Sequence, residues 1–468
     1  MADKSQASHI KEGFAPPSPK RLPPMAALAR TIMQGDGDLL SLLPADAYKM
    51  DAGELGYSRR SIKIFNDADL VSEIMQDKDE IFPKSDLMVG ALEPLIGNSV
   101  FVSDGAVWRR QRAMIDAAFS LMRLNLAFAS MRSAVDEHEK RLLRAADTGD
   151  VISLDLAMSH LTADIICRTV FSVPLQSKTA KDVFDDFTVF ERGVAQVKIW
   201  RLITDRAFAK PRQDPEVMRA CKRIRRHLGE LVDTHLSDGM GRFNDIASAV
   251  IAARDRDTGE GFTREELIDQ LGVFFLAGHE TTASVLTWVF YILALRPEIL
   301  ALVRAEVDQV VGDGEVTLEH VKKLPYIKSV FKETLRLYPP ITFMPRVAMR
   351  SGQIGKYKVR RGALIMIAPW TIHRRAEYWP RPDVFDPQRF SVSREKDIPS
   401  GAYIPFGLGP HICVGAGFAV MESALIIARL ARRFDLSFEG NVKAVRPVAR
   451  LTTRPASQVM IRVRLHKS

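Results

Sequence analysis

Cys413, set in a glycine-rich loop, has more chemical potential than any other residue of this chain. The segment Phe406-Gly407-Leu408-Gly409-Pro410-His411-Ile412-Cys413-Val414-Gly415 puts glycines, a proline and an aromatic ring around it, and a helical run from Ala416 to Ala428 follows. A thiol just before a helix N-terminus meets the positive end of the helix dipole and free amides, which favour the thiolate. Such a thiolate, held by a rigid loop, makes a good axial ligand for iron. A lone cysteine also fits a buried structural role or redox reactivity. Gly415-Ala416-Gly417 opens like a dinucleotide fingerprint, but Val420 holds the third glycine position and no clear βαβ unit surrounds it, so that reading is set aside.

A second chemical group is Ala277-Gly278-His279-Glu280-Thr281-Thr282, in the middle of an apolar run. Glycine in a helix interior costs about 1 kcal/mol relative to alanine. The acid and the two hydroxyls add a desolvation cost unless they are paired. Gly278 would let a ligand approach the backbone, and the threonines can bond back to carbonyls and open the helix locally. A helix crossing a polar layer of the core explains the same residues equally well. The zinc motif H-E-x-x-H is excluded, because Ala283 stands at the second histidine position.

These residues need elements to hold them. Thr263 and Glu266 form a capping box that starts a long helix, and Pro297 stops it after Arg296. Its Leu271 to Leu295 stretch is long enough to cross about 30 Å of hydrocarbon. His279 to Thr282 at its centre argue instead for a helix buried in a protein core. The pattern is mostly helical from Ala106 to about Val311, with strand-like alternation at Ser61 to Phe65, Gly362 to Ala368 and Val459 to Leu465. The expectation is one large α-rich body with minor β elements from both ends of the chain. Residues 1–24 form a lead-in, proline-rich from Phe14, and residues 25–468 a single domain. That domain exceeds the usual size of one core, and a buried cofactor could organise its centre.

Composition limits the partners. The 468 residues carry 66 Lys+Arg against 57 Asp+Glu, a formal net charge of +9. That excess is modest and dispersed, so nucleic acid is not an expected partner. The densest basic cluster, Lys222 to His227, reads as a solvated helix face. Cys167, Cys221 and Cys413 form no C-x-x-C pair, which disfavours a disulfide framework or a multi-cysteine zinc site. Met1 to Gly13 has no apolar core or cleavage site, so no secretory signal is expected, nor a membrane anchor at either end. A cytoplasmic location follows as an expectation.

Phe406, Gly409, His411, Cys413 and Gly415 resemble the haem-binding loop F-x-x-G-x-[RH]-x-C-x-G of the cytochrome P-450 family. Glu333-Thr334-Leu335-Arg336 resembles its E-x-x-R helix, and Phe385-Asp386-Pro387-Gln388-Arg389-Phe390 its later arginine segment. Ala277 to Thr282 matches the oxygen-activation motif, and Trp108 to Arg112 matches W-x-x-x-R. The order is the family's order, and the resemblance covers roughly the whole chain beyond the lead-in.

The resemblance implies a mainly α fold with small β-sheets, haem b being buried between the central long helix and the cysteine loop. Cys413 is then the axial iron ligand, which favours O–O cleavage. Trp108, Arg112, Arg346 and His411 become propionate contacts, and Phe406 packs on the thiolate side. Glu333, Arg336 and Arg389 form a buried structural triad, whereas alone Glu333 and Arg336 would read as a surface pair worth a few tenths of a kcal/mol. Glu280 and Thr281 are the acid–threonine pair that relays protons for dioxygen activation. Their presence favours a monooxygenase over a haem-binding sensor, a haem-thiolate peroxygenase or an isomerase.

The segment after Cys413 is too short for a fused flavin or ferredoxin domain. Electrons are therefore expected from a separate ferredoxin or flavodoxin-type donor with its reductase, steered by basic residues such as Arg109 and Arg110. The resemblance places the substrate pocket around Leu87 to Val102, at Phe274 and Ala277, at Ile341, Phe343 and Met344, and near Leu451 to Thr453. These residues are mostly apolar or small, so a hydrophobic small molecule with few polar groups is expected. The protein is expected to be a monomer.

Overall fold

The computed structural model describes residues 13–467 apart from 35–37, 56–59, 78–79, 120, 195–203, 205, 210–212, 238–242, 244 and 442–443. The helices that build the site are α1 (Ala68–Gln76), α2 (Asp86–Ile96), α3 (Gly105–Ala118), α4 (Leu121–Thr148), α5 (Leu154–Phe171), α6 (Lys178–Val194), α7 (Pro215–Ser237), α8 (Arg264–Leu295), α9 (Pro325–Leu337) and α10 (Ala416–Arg433). Residues 1–12 of the lead-in lie outside the described residues. Its proline-rich part has no helix before Pro24 and is fastened to the body by backbone and side-chain bonds. Phe385 N–H donates to Phe14 O at 2.8 Å and Tyr338 Oη–H to Pro17 O at 2.7 Å.

The central helix α8 starts where the sequence places it. Thr263 Oγ1 accepts the Glu266 N–H, and the Glu266 carboxylate accepts the Thr263 N–H at 2.8 Å, a complete capping box. From Leu267 to Leu293 the helix is buried on nearly every face; the exceptions are Ala277, Gly278 and Thr281. A helix apolar all round belongs in a core, and α8 lies in one, packed on α5, α7, α9 and α10. Among the described residues no single helix is long and apolar enough to cross a membrane; α8 passes only together with Pro297–Val311, across a bend of 108°.

Gly278 is used differently from the expectation. A Cβ there would lie 2.3 Å from Ile166 Cδ1 on α5, so the close approach it permits is between two helices rather than to a ligand. Thr162 on α5 donates to His279 O at 2.9 Å at the same crossing.

The strand-like stretches of the sequence do form sheets. A four-stranded sheet runs Ala52–Leu55, Ile62–Phe65, Leu364–Ile367, Met344–Val347, its middle pair parallel and the outer pairs antiparallel. Arg346 stands opposite Ile365 in it. A three-stranded sheet joins Val151–Ser153, Met460–Leu465 and Phe434–Phe438. Helix α10 runs past the expected Ala428 to Arg433, because Leu430 and Ala431 continue its buried face.

Below the cysteine loop, Glu333 and Arg336 on α9 are both fully buried. Arg336 donates twice to the Glu333 carboxylate, at 2.7 Å each, and also to the carbonyls of His373, Pro382 and Val384. Arg389 Nε stands 3.4 Å from Glu333 Oε1. The surface pair that spacing alone would give is thus a buried network. His373 carries it onward. Its Nδ1–H donates to Arg336 O, and its Nε2 accepts the Ile404 N–H at 2.9 Å, two residues before Phe406. Burial, with Arg336 beside it, pushes His373 down to about 3, so the ring is neutral and can make both bonds.

Candidate functional site

The cysteine loop owes its shape to glycine. Gly407 and Gly409 have φ of 79° and 70°, in the left-handed region. A Cβ on Gly409 would lie 2.5 Å from Met75 O, because the loop is pressed against the end of α1. Gly409→Ala therefore combines an αL penalty of about 1–2 kcal/mol with a backbone collision. The expected result is a lowered Tm and a lower haem-to-protein ratio after purification. Wild-type values on both would show that the loop tolerates the side chain. Cys413 N–H donates to Phe406 O at 2.8 Å, which closes the loop; the half-buried Phe406 ring packs on the core.

Cys413 is exposed by surface area, yet burial pushes its thiol up. The helix-end stabilisation expected for the thiolate is real but small, because the Gly415 amide and Arg112 lower the thiol less than desolvation raises it. Without a cation to bind, Cys413 is a thiol.

Beside the loop stands a basic group. The Trp108 ring lies 4.0 Å from the His411 ring, and Lys84 Nζ is 5.8 Å from the Trp108 ring. Lys84 and Arg346 are paired through their backbones. Lys84 Nζ donates to Val100 O and Ser103 O and lies 3.9 Å from Asp104. Arg346 is buried and reaches only Met75 Sδ, at 3.8 Å, with no carboxylate partner among the described residues. His411 Nδ1 is buried without a partner among them. Burial first, then the charges of Lys84, Arg346 and Arg112, push His411 down to about 3. The buried Arg346 is thus left without a carboxylate of its own among the described residues, and a bound anion would supply one.

Arg112 sits differently from the expectation. Its Nε pairs with Asp116 at 2.7 Å, and its Nη1 donates to Pro410 O and Ile412 O, so it clamps the loop backbone. Arg109 and Arg110 are likewise engaged, the first with Glu80 and the second with Glu266 of the α8 cap. In the same cysteine loop Ile412 is 44% exposed. Of the basic run at Lys222 to His227, Arg225 turns inward to Asp269 and Leu95 O, while Lys222, Arg223 and Arg226 stay exposed.

On α8, Phe274, Ala277 and Thr281 follow helical spacing along one stripe. Phe274 is buried against the Phe119 ring, 5.1 Å away, and Ala277 and Thr281 are half-buried. Thr281 Oγ1 donates to Ala277 O at 2.6 Å, the back-bond foreseen from its position. Glu280 does not join it. Its carboxylate accepts Thr452 Oγ1 at 2.5 Å and Arg454 Nε at 2.9 Å, and Arg454 Nη2 grips the second oxygen. Burial opposes ionisation of Glu280, but Arg454 more than offsets it and holds the carboxyl below its ordinary range. Ile341, Phe343 and Met344 are half-buried where the chain enters the Met344–Val347 strand.

Sequence reasoning missed Lys84, His373, Thr452 and Arg454. The only signal for Thr452 was its place in the expected pocket segment; the others carried none, being isolated polar residues far from every motif.

A loop thiol before a helix, a buried arginine with no carboxylate partner among the described residues and a half-open stripe on a buried helix suit a flat, dianionic, iron-bearing cofactor. This is the construction of a haem-thiolate protein. The profile of the family described as Cytochrome P450 matches residues 54–460, and the chain belongs to that family. It is 31% identical to a cyclooctat-9-en-7-ol 5-monooxygenase from Streptomyces melanosporofaciens, over 91% of this chain and 89% of the relative. It is 29% identical to a cyclooctatin synthase of the same organism, over 93% of each. The crystal structure of the cytochrome P450DA heme domain superposes with a TM-score of 0.78 at 23% identity, covering 97% of each chain. The protein is accordingly a haem monooxygenase, with a cysteine thiolate on the iron and a need for both a redox partner and a substrate.

Proposed function

We propose that this chain hydroxylates a hydrophobic small molecule, with Cys413 as the iron ligand and Glu280 and Thr281 as the proton-handling pair. The observation that carries this reading is the Cys413 loop beside a buried Arg346 with no carboxylate partner and a His411 Nδ1 with no partner among the described residues. Arg346, His411 and Lys84 would hold the two propionates, since Arg346 in particular is buried with no anion of its own among the described residues. Arg112 and Trp108 support them by fixing the loop and the His411 ring. Glu333, Arg336 and Arg389 hold the base of the loop. When bound, the haem supplies dioxygen reduction and insertion of one oxygen atom into the substrate.

The chain's own part is orientation, exclusion of water and proton supply. Thr281 presents a hydroxyl on the half-open stripe of α8, and its back-bond to Ala277 O fixes where Oγ1 points. Glu280 stores negative charge beside it under the grip of Arg454. Thr281→Ala should leave haem content intact and lower product formed per electron consumed by about tenfold or more, general acid–base effects being typically 10²–10⁴-fold. Oxygen uptake, peroxide and product measured together check this, and unchanged coupling would remove Thr281 from the path.

Phe274, Ala277, Ile341, Phe343 and Met344 offer the substrate apolar walls. An apolar alcohol of the kind named for the Streptomyces relative fits such walls, whereas a carboxylate would meet no cation among these five residues. Titrating the ferric enzyme with an apolar cyclic alcohol and with a fatty acid, and following the Soret shift, separates the two. We further propose a ferredoxin or flavodoxin-type donor docking over the exposed Ile412 side of the loop, in the cytoplasm.

A further inference from the structure

His235 lies in the last turn of α7, and its ring is buried against Asp245, the N-cap of the short helix Ile246–Ala252. Both ring nitrogens are bonded. Nδ1 is 2.9 Å from Leu231 O, and Nε2 is 2.9 Å from Asp245 Oδ2. A carbonyl and a carboxylate only accept, so each nitrogen carries a hydrogen and the ring is an imidazolium. A proton on Asp245 instead is closed off by its other bonds. Its Oδ1 accepts the Ser248 N–H and Oγ–H, each at 2.8 Å, and its Oδ2 accepts the Ser172 Oγ–H at 2.7 Å as well as His235. With four donors around it, the carboxyl has no acceptor for a hydrogen of its own. Burial opposes ionisation of Asp245, but the His235 ring and the serine donors more than offset it and hold the carboxyl below its ordinary range. One carboxylate thus gathers three helix ends: the last turn of α7, the start of Ile246–Ala252, and Ser172, the left-handed C-cap of α5 with φ of 55°.

We propose that His235 is a pH-sensitive latch, whose charged ring fastens the end of α7 to α5 and Ile246–Ala252 and whose deprotonation releases it. Loss of the proton leaves one hydrogen for two acceptors, so either Leu231 O or Asp245 loses its bond. The buried Asp245 also loses the opposite charge beside it, which is costly away from water. The Phe243 ring, stacked 4.3 Å from the imidazole, covers one face of it. The charged ring gains its partner on folding. Its stabilisation is therefore complete below about pH 6.5, the ordinary value of a free histidine, and is lost as pH rises through the titration of the folded ring. The helix Ile246–Ala252 packs on α3, α5, α7 and α8, and α7 packs also on α2 and α6. Charges on these elements are bonded elsewhere: Arg110 to Glu266, Arg112 to Asp116, Arg168 to Asp164, Glu230 to His227, Asp233 to Arg264, Arg223 to Asp186 and Asp86 to Arg60. Cys167 on α5 is buried and raised, so it stays neutral. The release reaches beyond the corner, because Arg225 of α7 holds both Leu95 O and Asp269 of α8.

The test is nitrogen NMR of the ferrous, carbon monoxide-bound holoenzyme carrying 15N-labelled histidine, together with Tm against pH for wild type, His235→Gln and Asp245→Asn. The His235 signals are those that His235→Gln removes. At pH 7 both ring nitrogens should carry hydrogen in wild type. In Asp245→Asn, which keeps a capping side chain, only one should. The Tm gap between wild type and His235→Gln should be about 3 °C or more at pH 6 and should close as pH rises over the range in which the ring loses its proton. Two results would overturn the proposal. One is a neutral His235 ring in wild type at pH 7. The other is a charged ring with a Tm gap that stays constant as pH rises, which makes the pair a fixed structural contact. Should His235→Gln fail to fold, the signals that move in Asp245→Asn give the assignment. The gap between wild type and Asp245→Asn then decides, closing with pH if the latch exists and constant if it does not.

Discussion

Cys413→Ala eliminates the strongly red-shifted Soret band of the dithionite-reduced, carbon monoxide-treated protein, and monooxygenase turnover disappears with it. The expected loss is well beyond the roughly 10–100-fold typical of changes outside a metal's direct ligands. The experiment is clean because the loop does not depend on the sulfur. Its closing bond uses the Cys413 N–H and Phe406 O, its turns are made by Gly407 and Gly409, and Arg112 clamps the Pro410 and Ile412 carbonyls. An alanine keeps all of these, so the variant should still fold, with a Tm lowered only by the stabilisation that bound haem would give. Retention of the band in Cys413→Ala would mean that another residue holds the iron. Bound iron would also supply the stabilisation that burial denies to the Cys413 thiolate.

Glu333→Ala is expected to be the most damaging substitution outside the haem pocket. Removing one partner of a buried ion pair costs about 3–5 kcal/mol, and here it strands the buried Arg336 and Arg389 together. The Asp386 N–H loses its acceptor at 2.8 Å as well. The path Glu333, Arg336, His373, Ile404 ends at the base of the cysteine loop, so the outcome should be poor recovery of folded protein and weak haem retention. Arg336→Lys should fail to substitute, because one ammonium cannot serve the carboxylate and the three carbonyls that the guanidinium fork reaches. Denaturant unfolding and the haem-to-protein ratio check both variants. Wild-type stability in Glu333→Ala would show that the two arginines find water or other acceptors.

What the sequence disclosed follows from how local each interaction is. The capping box of Thr263 and Glu266, the stop at Pro297, the back-bond of Thr281 and the i,i+3 spacing of Glu333 and Arg336 are set within a few residues, and all are visible in the chain. Arg454 lies 174 positions from Glu280, and Lys84 meets Arg346 through a bridge between distant segments. No periodicity or spacing can announce such pairs. Arg112 shows a third case, in which the residue is legible and its partner is not. An arginine four residues after Trp108 can reach the haem side, but only the fold reveals that Asp116 and two loop carbonyls occupy it. Gly278 is the same kind of case, its small size being visible and its neighbour Ile166 hidden.

The clamp that Arg112 places on the Pro410 and Ile412 carbonyls bears on how electrons arrive. Ile412 is at the surface and Cys413 is the next residue, so a carrier docked there is one peptide unit from the sulfur. A bridge that short keeps the tunnelling distance small. Held by guanidinium bonds on both sides and by backbone glycine turns, it also has little freedom to rearrange when the charge changes. A low reorganisation energy would then follow from the same loop whose shape selects the ligand, if the proposed carrier docks there.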